Sequence, residues 1–297
     1  MLDTKSLFYD SVKQVATIQF TFLCKQVPLL VSLALTFPNS SLMTQPYHPE
    51  HYWDNIAGRI AARKDIKIIA GDDEPYYRYK RKRFLELLCK MDFADKAVLE
   101  VGSGPGGNLD FIYNKGCRRI TGVDISGQMV ALSRDLLKGK DIEVLKINGT
   151  DLPFEDSTFD CVFTSTVLQH ITDERLLQQL CREICRVSKG EVWLFERVED
   201  KIKGHESNIG RPVGYYKQLL KPNGFELTGV QALPVQVSFY VCGVIRKVFN
   251  SKLRREGEPL SKLAVALQKA FLPVTSLLDR VIPGKRDVTL LKFNKKL

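Results

Sequence analysis

The sequence predicts an α/β protein built on a doubly wound sheet, and three observations support this prediction. A short apolar run, Ala97–Val101, stops at a cluster of glycines. A second apolar run, Ile120–Asp124, ends in a carboxylate about twenty residues after the first glycine, which is the spacing of a βαβ unit that binds nucleotides. Apolar strands then alternate with amphipathic helices through short links as far as residue 231, which favours a parallel sheet covered on both faces.

The glycine cluster predicts a ligand-binding loop. Gly102, Gly104, Gly106 and Gly107 let the backbone adopt positive φ and pass close to a ligand. The helix that follows presents unpaired N–H groups to a polar or anionic group. Asp124, at the carboxyl end of the second strand, can accept hydrogen bonds from both hydroxyls of a ribose. We therefore expect an adenosine-bearing ligand.

Two ligand classes use this arrangement, and the glycines do not separate them. Gly102-x-Gly104-x-x-Gly107 satisfies the dinucleotide pattern, with Asp124 at a suitable distance. The same stretch, written Glu100-x-Gly102-x-Gly104-x-Gly106, resembles the first motif of class I S-adenosylmethionine-dependent methyltransferases. The rest of the chain has to decide between them.

Three later motifs favour the methyltransferases. Leu152-Pro153-Phe154 follows the third predicted strand, Phe159-Asp160-Cys161-Val162 opens the fourth, and Val167-Leu168-Gln169-His170-Ile171 follows it. In this order and spacing they resemble the small-molecule branch of the family, to which the ubiquinone and menaquinone methyltransferases belong. The resemblance implies S-adenosylmethionine as the cofactor.

Periodicity gives the elements in order. Strands are predicted at 98–101, 119–124, 142–147, 159–164, 190–196 and 224–231, and helices at 106–115, 127–138, 173–187 and 212–221. The family resemblance implies a last strand at 287–294, antiparallel to its neighbour. The prediction is therefore a doubly wound, Rossmann-like seven-stranded sheet.

The predicted domain organisation places additions around this core. Residues 46–93 form a helical cap, 94–234 the cofactor-binding core, 235–286 a basic helical insertion, and 287–297 the last strand. Residues 1–45 form an extension whose apolar run has the length of a signal-peptide core. The acids Asp3 and Asp10 argue against export, so we favour Met43 as the natural start, or a disordered or membrane-touching extension.

The net charge of +10 is concentrated near the C-terminus. From residue 246 onward, thirteen Lys and Arg stand against four acids, 13 minus 4 or +9. Within this region Pro259–Phe271 spaces Leu260, Leu263, Leu267 and Phe271 on one face of a basic amphipathic helix. Such a helix can cover a pocket, lie on an anionic membrane or pack on the core, and packing is the default.

The seven cysteines are scattered and odd in number, which indicates free thiols in a reducing compartment. Cys181 and Cys185 lie four apart on a predicted helix without a second pair at zinc-site spacing, so we predict half-buried apolar side chains and no metal. The protein is expected to be cytoplasmic, with peripheral membrane contact through the basic region as an open alternative.

The resemblance assigns the cofactor-binding residues one by one. It places the backbone of Gly102, Ser103 and Gly104 at the methionine end, with Glu100 ordering that loop. It places Asp124 at the ribose, and it places Thr164, Ser165 and Thr166, at the end of the fourth predicted strand, beside the transferable methyl group. The adenine is expected between Ile125 and Met129, with its edge facing Asn148 and Gly149. Asn148 departs from the aspartate of many relatives, and Asp151 is the substitute if the register differs.

The catalytic side chains can be few, because methyl transfer is an in-line displacement that mainly requires positioning and exclusion of water. His170 is a candidate general base, since imidazole titrates near neutrality. In relatives, however, its position is structural. His205 and Glu196, beyond the fifth strand, are comparable candidates, and His48 and His51 in the cap are weaker ones.

The function predicted from sequence is methyl transfer to a small molecule, with the hydroxyl of a quinone, lipid-linked sugar or similar metabolite favoured as the acceptor and nitrogen or carbon left open. Two other classes stay open. A nicotinamide-dependent oxidoreductase uses the same glycine pattern, and a nucleic-acid-binding protein could use the basic region on phosphates. That region has no recognised nucleic-acid motif, so nucleic acid is not favoured as a partner. The sequence does not give the oligomeric state.

Overall fold

The central strands are buried on both faces, and this burial determines where the helices lie. The computed structural model describes residues 47–63, 70, 72–251, 253–282, 284 and 287–296, so the predicted extension before residue 46 lies outside the described part. All five residues of the first strand, Ala97–Val101, are buried. A strand without a solvent face needs a helical layer on each side.

The main sheet has seven strands, in the order β3-β2-β1-β4-β5-β9-β8. The first five are parallel to one another, and β9 runs antiparallel between β5 and β8. The prediction of a doubly wound, Rossmann-like sheet with an antiparallel last strand is confirmed. The strands are β1 Ala97–Val101, β2 Arg119–Asp124, β3 Glu143–Lys146, β4 Phe159–Ser165, β5 Ser188–Val198, β6 Lys203–His205, β7 Asn208–Gly210, β8 Phe225–Ala232 and β9 Asp287–Lys295.

Eight described α-helices flank the sheet or extend from it. They are α1 Pro49–Ala61, α2 Pro75–Leu88, α3 Gly107–Tyr113, α4 Gly127–Leu136, α5 Glu174–Val187, α6 Val213–Leu220, α7 Gln236–Val248 and α8 Lys262–Leu278. Ser126 caps α4 by accepting from the N–H of Met129, and Asp173 caps α5 in the same way. In the described part of the chain, none of the helices has both the length and the apolarity needed to cross a bilayer.

The core has two layers, one on each side of the sheet. On one side α5 packs through Leu177, Leu180 and Ile184 against β4 and β5. Cys181 and Cys185 lie in the same layer and are buried as apolar side chains. On the other side, α2 and α3 pack against β1 and the aromatic residues of β4 and β5.

Two elements were not predicted from the sequence. The strands β6 and β7 form a small hairpin after β5, and α7 is a full helix within the basic insertion. The α7 and α8 helices pack on each other and on α2. The insertion therefore adds a helical pair beside the layer of the fold that contains α2.

Asp279 fixes this helical pair to the core. The carboxylate follows α8, is buried, and accepts hydrogen bonds from the backbone N–H of Val237 at 2.7 Å and from the hydroxyls of Ser238 at 2.6 Å and Tyr79 at 3.0 Å. It therefore supplies the N-terminal cap of α7 from another helix.

We predict that Asp279→Ala lowers the free energy of unfolding by about 1–3 kcal/mol, because it leaves several buried donors without an acceptor. Urea denaturation monitored by circular dichroism measures the change. The matched control is Glu226→Ala, which removes an exposed pair with Lys296 and is expected to cost less than about 1 kcal/mol. Equal losses in both variants would contradict the capping role.

Candidate functional site

The glycine loop between β1 and α3 is shaped by positive backbone angles. Gly102, Gly104 and Gly106 have φ of +75°, +52° and +83°. The N–H groups of Gly102 and Ser103 both donate to the carbonyl of Val123, at 2.7 and 3.0 Å, which ties the loop to the end of β2. A Cβ on Gly102 would lie 2.3 Å from a methyl carbon of Val167, so only glycine fits there.

Asp124 connects this loop to the next one. Its carboxylate accepts from the N–H of Gly104 and from the N–H of Ser126, both at 2.8 Å. Burial is the main cause that raises the pKa of Asp124 to about 6. The residue lines a cavity of about 450 Å³ at the carboxyl ends of the parallel strands, where open α/β sheets bind ligands.

The adenine side of this cavity contains the predicted residues. Ile125, Met129, Asn148 and Gly149 all line it. The Asn148 side chain folds its own loop, because its Oδ1 accepts from the N–H groups of Thr150 and Asp151 at 3.0 and 2.9 Å. Its Nδ2 donates to the Asp151 carboxylate at 2.6 Å.

Asp151, the alternative to Asn148, does not line the cavity. Because the Asn148 oxygen and the Thr150 N–H are hydrogen-bonded to each other, the backbone of Gly149 is the polar part of this lining segment left for an adenine edge. Asparagine in place of aspartate at position 148 therefore changes how the loop is held together more than it changes the polar groups that the loop presents to the cavity.

Glu100 and Ser103 lie beneath the glycine loop and do not line the cavity. One oxygen of Glu100 accepts from Asn108 at 2.7 Å, and the other is buried without a hydrogen-bond partner among the described residues. Desolvation raises the pKa of Glu100 to about 8. This oxygen lies under the glycine loop and not in the cavity wall, and a ligand with an ammonium group at the loop, such as a methionine moiety, would offset its desolvation.

The four features together fit S-adenosylmethionine: the glycine loop, the buried carboxylate of Asp124 that lines the cavity, the apolar pair Ile125 and Met129, and the unpaired oxygen of Glu100 beneath the loop. Two arginines of α2 do not join them. Arg78 pairs with Asp73 at 2.7 Å and Arg83 pairs with Glu86, and neither side chain lines the cavity.

Glu196 is a positioning residue in this structure. It is fully buried on β5 and does not line the cavity. Its Oε1 accepts from the Thr164 hydroxyl at 2.7 Å and from the N–H of Val167 at 3.1 Å, and its Oε2 accepts from the N–H of Gln169 at 3.2 Å. Thr164 is buried by the same contact, so Ser165 and Thr166, not Thr164, reach the cavity.

His170 lines the cavity, but both of its ring nitrogens are engaged. Its Nδ1–H donates to the carbonyl of Ser207 at 2.8 Å, a tautomer assigned from that partner. Its Nε2 lies 3.2 Å from the amide nitrogen of Gln169, whose oxygen accepts from the N–H of Arg197. Burial lowers the pKa of His170 to about 4, so the ring is neutral.

His205 lies away from the cavity. It is exposed on β6, where a ring nitrogen lies 3.3 Å from the hydroxyl of Ser207. The β6–β7 hairpin contributes to the site through the carbonyl of Ser207, which holds His170. The structure therefore brings His170 to the cavity and leaves His205 and Glu196 outside it.

The cap contributes residues that the sequence analysis underestimated. His48, just before α1, and Pro49, Glu50 and Trp53 of α1 line the cavity, and Ala70 also lines it. The ring of Trp53 packs edge-on against His170, with centroids 5.1 Å apart. The aromatic cluster around Trp53 was the available signal, but a helix period alone does not tell which neighbour a side chain meets. His51 is exposed and does not line the cavity.

Comparison with known proteins agrees with this geometry. Residues 99–195 match the methyltransferase domain family. The sarcosine/dimethylglycine N-methyltransferase of Halorhodospira halochloris is 26% identical over 249 residues, which cover 76% of this chain and 86% of that protein. The demethylmenaquinone methyltransferase of Thermotoga maritima is 27% identical over 130 residues, 43% of this chain and 55% of that protein.

A solved structure also shares the fold. The chain superposes on a structure assigned as a sarcosine dimethylglycine methyltransferase from Galdieria sulphuraria with a TM-score of 0.54 and 19% identity. The superposition covers 82% of this chain and 98% of that one. This likeness supports the architecture described above.

We predict that Gly102→Ala abolishes cofactor binding, whereas Gly139→Ala does not. Both glycines have positive φ, +75° and +85°, so both alanines carry a backbone cost of about 1–2 kcal/mol. Only the Cβ at 102 meets another residue, and the one at 139 enters open space. Calorimetric titration with S-adenosylhomocysteine, alongside thermal unfolding, measures both effects. Similar affinities in the two variants would exclude the close approach of Val167 as the reason for Gly102.

We predict that S-adenosylhomocysteine affinity falls roughly tenfold from pH 7 to pH 5. The sign follows from the raised pKa of Asp124, about 6: below it the carboxyl is protonated and one oxygen no longer accepts from a ribose hydroxyl. Asp124→Asn is expected to bind weakly at both pH values, with a flat profile. A variant profile that still falls between pH 7 and pH 5 would assign the titration to another group.

Proposed function

Because this chain is a class I S-adenosylmethionine-dependent methyltransferase of the small-molecule type, we propose that its acceptor is the neutral nitrogen of a small amine. The sequence favoured a hydroxyl, and the two acceptors make different demands on the site. An aliphatic hydroxyl keeps its proton at neutral pH and needs a base to become nucleophilic. The free base of an amine already has an available lone pair.

The state of His170 is the observation that carries this proposal. A general base needs a free acceptor atom and a pKa near the working pH. The Nδ1–H of His170 is committed to Ser207, and its Nε2 already receives a hydrogen bond from Gln169. A pKa of about 4 makes the ring a weak proton acceptor. His170 is therefore suited to form a wall of the cavity and is poorly suited to deprotonate a hydroxyl.

The other titratable side chains among the described lining residues have other tasks or positions. Glu50 pairs with Lys146 at 2.9 Å, and Asp124 is held by two backbone N–H groups at the ribose position. His48 lines the cavity from an exposed position at the start of α1. Among the described lining residues, His48 is the one histidine besides His170, so a test of base catalysis has to substitute both.

The wall near His170 also suits the product of N-methylation. A tertiary amine becomes a permanent cation when it is methylated, and an aromatic ring face attracts a cation by about 0.5–2 kcal/mol. Trp53 supplies such a ring, and Glu50 places a carboxylate on the same cavity. The similarity to an N-methyltransferase that acts on sarcosine and dimethylglycine supports the same acceptor type.

The residues divide the work of the reaction. Gly102, Gly104 and Asp124 would hold S-adenosylmethionine, which supplies an electrophilic methyl group on a sulfonium. Glu196 holds the loop after β4 in place, so that Ser165 and Thr166 form the floor of the cavity. The remaining task, bringing the acceptor into line and excluding water, falls to α1 and the wall formed by Trp53 and His170.

A hydroquinone is the second candidate acceptor. The lining includes the aliphatic side chains Val167, Ile171, Leu176 and Leu180, and part of the chain is similar to a demethylmenaquinone methyltransferase. A phenol has a pKa of about 10, so it ionises without a strong base more readily than an aliphatic alcohol.

We predict methyl transfer from radiolabelled S-adenosylmethionine to sarcosine or dimethylglycine, and none to glycolate, which replaces the amine of glycine by a hydroxyl. The rate should rise with pH as the free-base fraction of the amine increases. His170→Gln and His48→Gln should each keep kcat within about tenfold, because loss of a general base costs about 10² to 10⁴.

Transfer to glycolate, combined with a loss of kcat above about a hundredfold in either histidine variant, would overturn the amine proposal. Transfer to 1,4-naphthohydroquinone and to neither amine would replace it with the second candidate.

A further inference from the structure

The helix α8 is packed with its polar side inward. The residues that it buries are Ala264, Gln268 and Thr275. The Gln268 amide donates to Glu74 at 3.1 Å and accepts from the N–H of Tyr76 at 3.1 Å. The hydroxyl of Thr275 lies 2.9 Å from the hydroxyl of Ser238 on α7, whose own proton is donated to Asp279. The packed side of this helix is therefore held by hydrogen bonds.

The outer side of α8 is apolar. At 3.6 residues per turn, Leu263, Val274 and Leu277 fall in one stripe on a side of α8 away from the buried residues, and Val281 follows in the turn after the helix. They are 56%, 61%, 61% and 59% exposed. An amphipathic helix of a globular protein normally faces the core with this stripe, so the arrangement is reversed.

The neighbouring helix α7 extends the same surface. Tyr240, Val244 and Val248 follow one another by four residues and are 50%, 59% and 63% exposed. We call these three residues, together with the α8 stripe, the apolar face. Of the sixteen large hydrophobic residues that are exposed in the described part of the chain, twelve lie between 239 and 282. Single exposed hydrophobics need no explanation, but a concentration of this kind marks an interaction surface.

The charges beside this face are positive. Lys262 and Lys269 are exposed on α8 seven residues apart, which places them in one row along the edge of the α8 stripe, and Arg280 is exposed just after the helix ends. Lys247 is exposed on α7. Asp279, the acid at the end of α8, is buried against the N-terminus of α7. The border of the apolar face is therefore cationic.

We propose that the apolar face docks on the surface of an anionic lipid bilayer, with α7 and α8 lying in the plane of the headgroups. An interfacial helix buries an apolar stripe in the acyl boundary while basic side chains reach the phosphates. The order of residues on α8 matches this pattern. A second copy of the chain would bring two cationic borders together, so the charge favours the bilayer over a dimer.

The docking surface is connected to α1, which lines the cavity, through contacts made by α7 and by the segment between α7 and α8. Arg246 of α7 donates to the buried Glu74, and Arg254 of the α7–α8 connection pairs with the buried Asp72. In the same connection, Glu256 accepts from Tyr52 of α1, the helix that lines the cavity through Trp53. The docking proposal does not depend on which acceptor is methylated.

Flotation of the full chain with lipid vesicles tests the proposal. We expect binding to vesicles that contain phosphatidylglycerol, weaker binding to pure phosphatidylcholine, and a loss on raising the salt concentration. The double variant Val274→Gln/Leu277→Gln should reduce binding at least about tenfold, because two apolar side chains no longer enter the acyl boundary. The variant Lys262→Glu/Lys269→Glu/Arg280→Glu should remove the preference for phosphatidylglycerol.

The matched control is Ile202→Gln/Val230→Gln, which changes two exposed apolar residues outside the apolar face and should float like the wild type. Binding of S-adenosylhomocysteine checks that each variant is folded. Absence of flotation by the wild type would overturn the proposal. Sedimentation would then distinguish the alternatives. If the wild type is a dimer that Val274→Gln/Leu277→Gln dissociates, the apolar face binds a second copy of the chain. If the wild type is a monomer, an acidic protein is the partner to test next. Equal binding to both lipids would overturn the anionic preference.

Discussion

The site depends on hydrogen bonds from backbone N–H groups to carboxylates at the ends of the strands. Asp124 accepts from Gly104 and Ser126, and so it holds the glycine loop at a fixed distance from the loop after β2. Glu196 does the same for the loop after β4. These acceptors add to the backbone hydrogen bonds that tie the loops to neighbouring strands, such as those from Gly102 and Ser103 to Val123 and from Thr166 to Phe195.

These carboxylates are buried, and burial has a consequence for their charge. Desolvation raises the pKa of Asp124 to about 6 and that of Glu100 to about 8, while it also raises that of Glu196. A ligand that donates hydrogen bonds or carries a positive charge offsets this desolvation, which makes the empty and occupied sites differ in protonation. Glu196 differs from the other two, because backbone and hydroxyl donors already satisfy its oxygens.

The sequence predicted the sheet and the cofactor loop well because these features are encoded locally. The strand β1 is a continuous apolar run, and the positive φ values of Gly102, Gly104 and Gly106 occur where the glycines occur. The role of Glu196 could not be predicted from the local sequence, because the backbone N–H groups that it binds lie some thirty residues earlier in the chain. The contact of Trp53 with His170 likewise joins two segments that are far apart in the chain. For the cofactor-binding residues the family resemblance supplied positions, and the geometry of Thr164 and Asn148 shows side chains engaged within the protein.

The basic insertion shows the limit of periodicity most directly. The spacing of Leu263 and Phe271 predicted an amphipathic helix, and α8 is one, yet both side chains point away from the core. Hydrophobic periodicity predicts that a helix has an apolar and a polar face, but it does not predict which face packs against the rest of the protein. Burying Gln268 and Thr275 with their hydrogen bonds satisfied is close to neutral in free energy. Leaving several Leu and Val side chains in water forgoes about 1.5–3 kcal/mol for each one that could be buried. The reversed packing therefore leaves unused a hydrophobic free energy that an apolar environment at the outer face would supply.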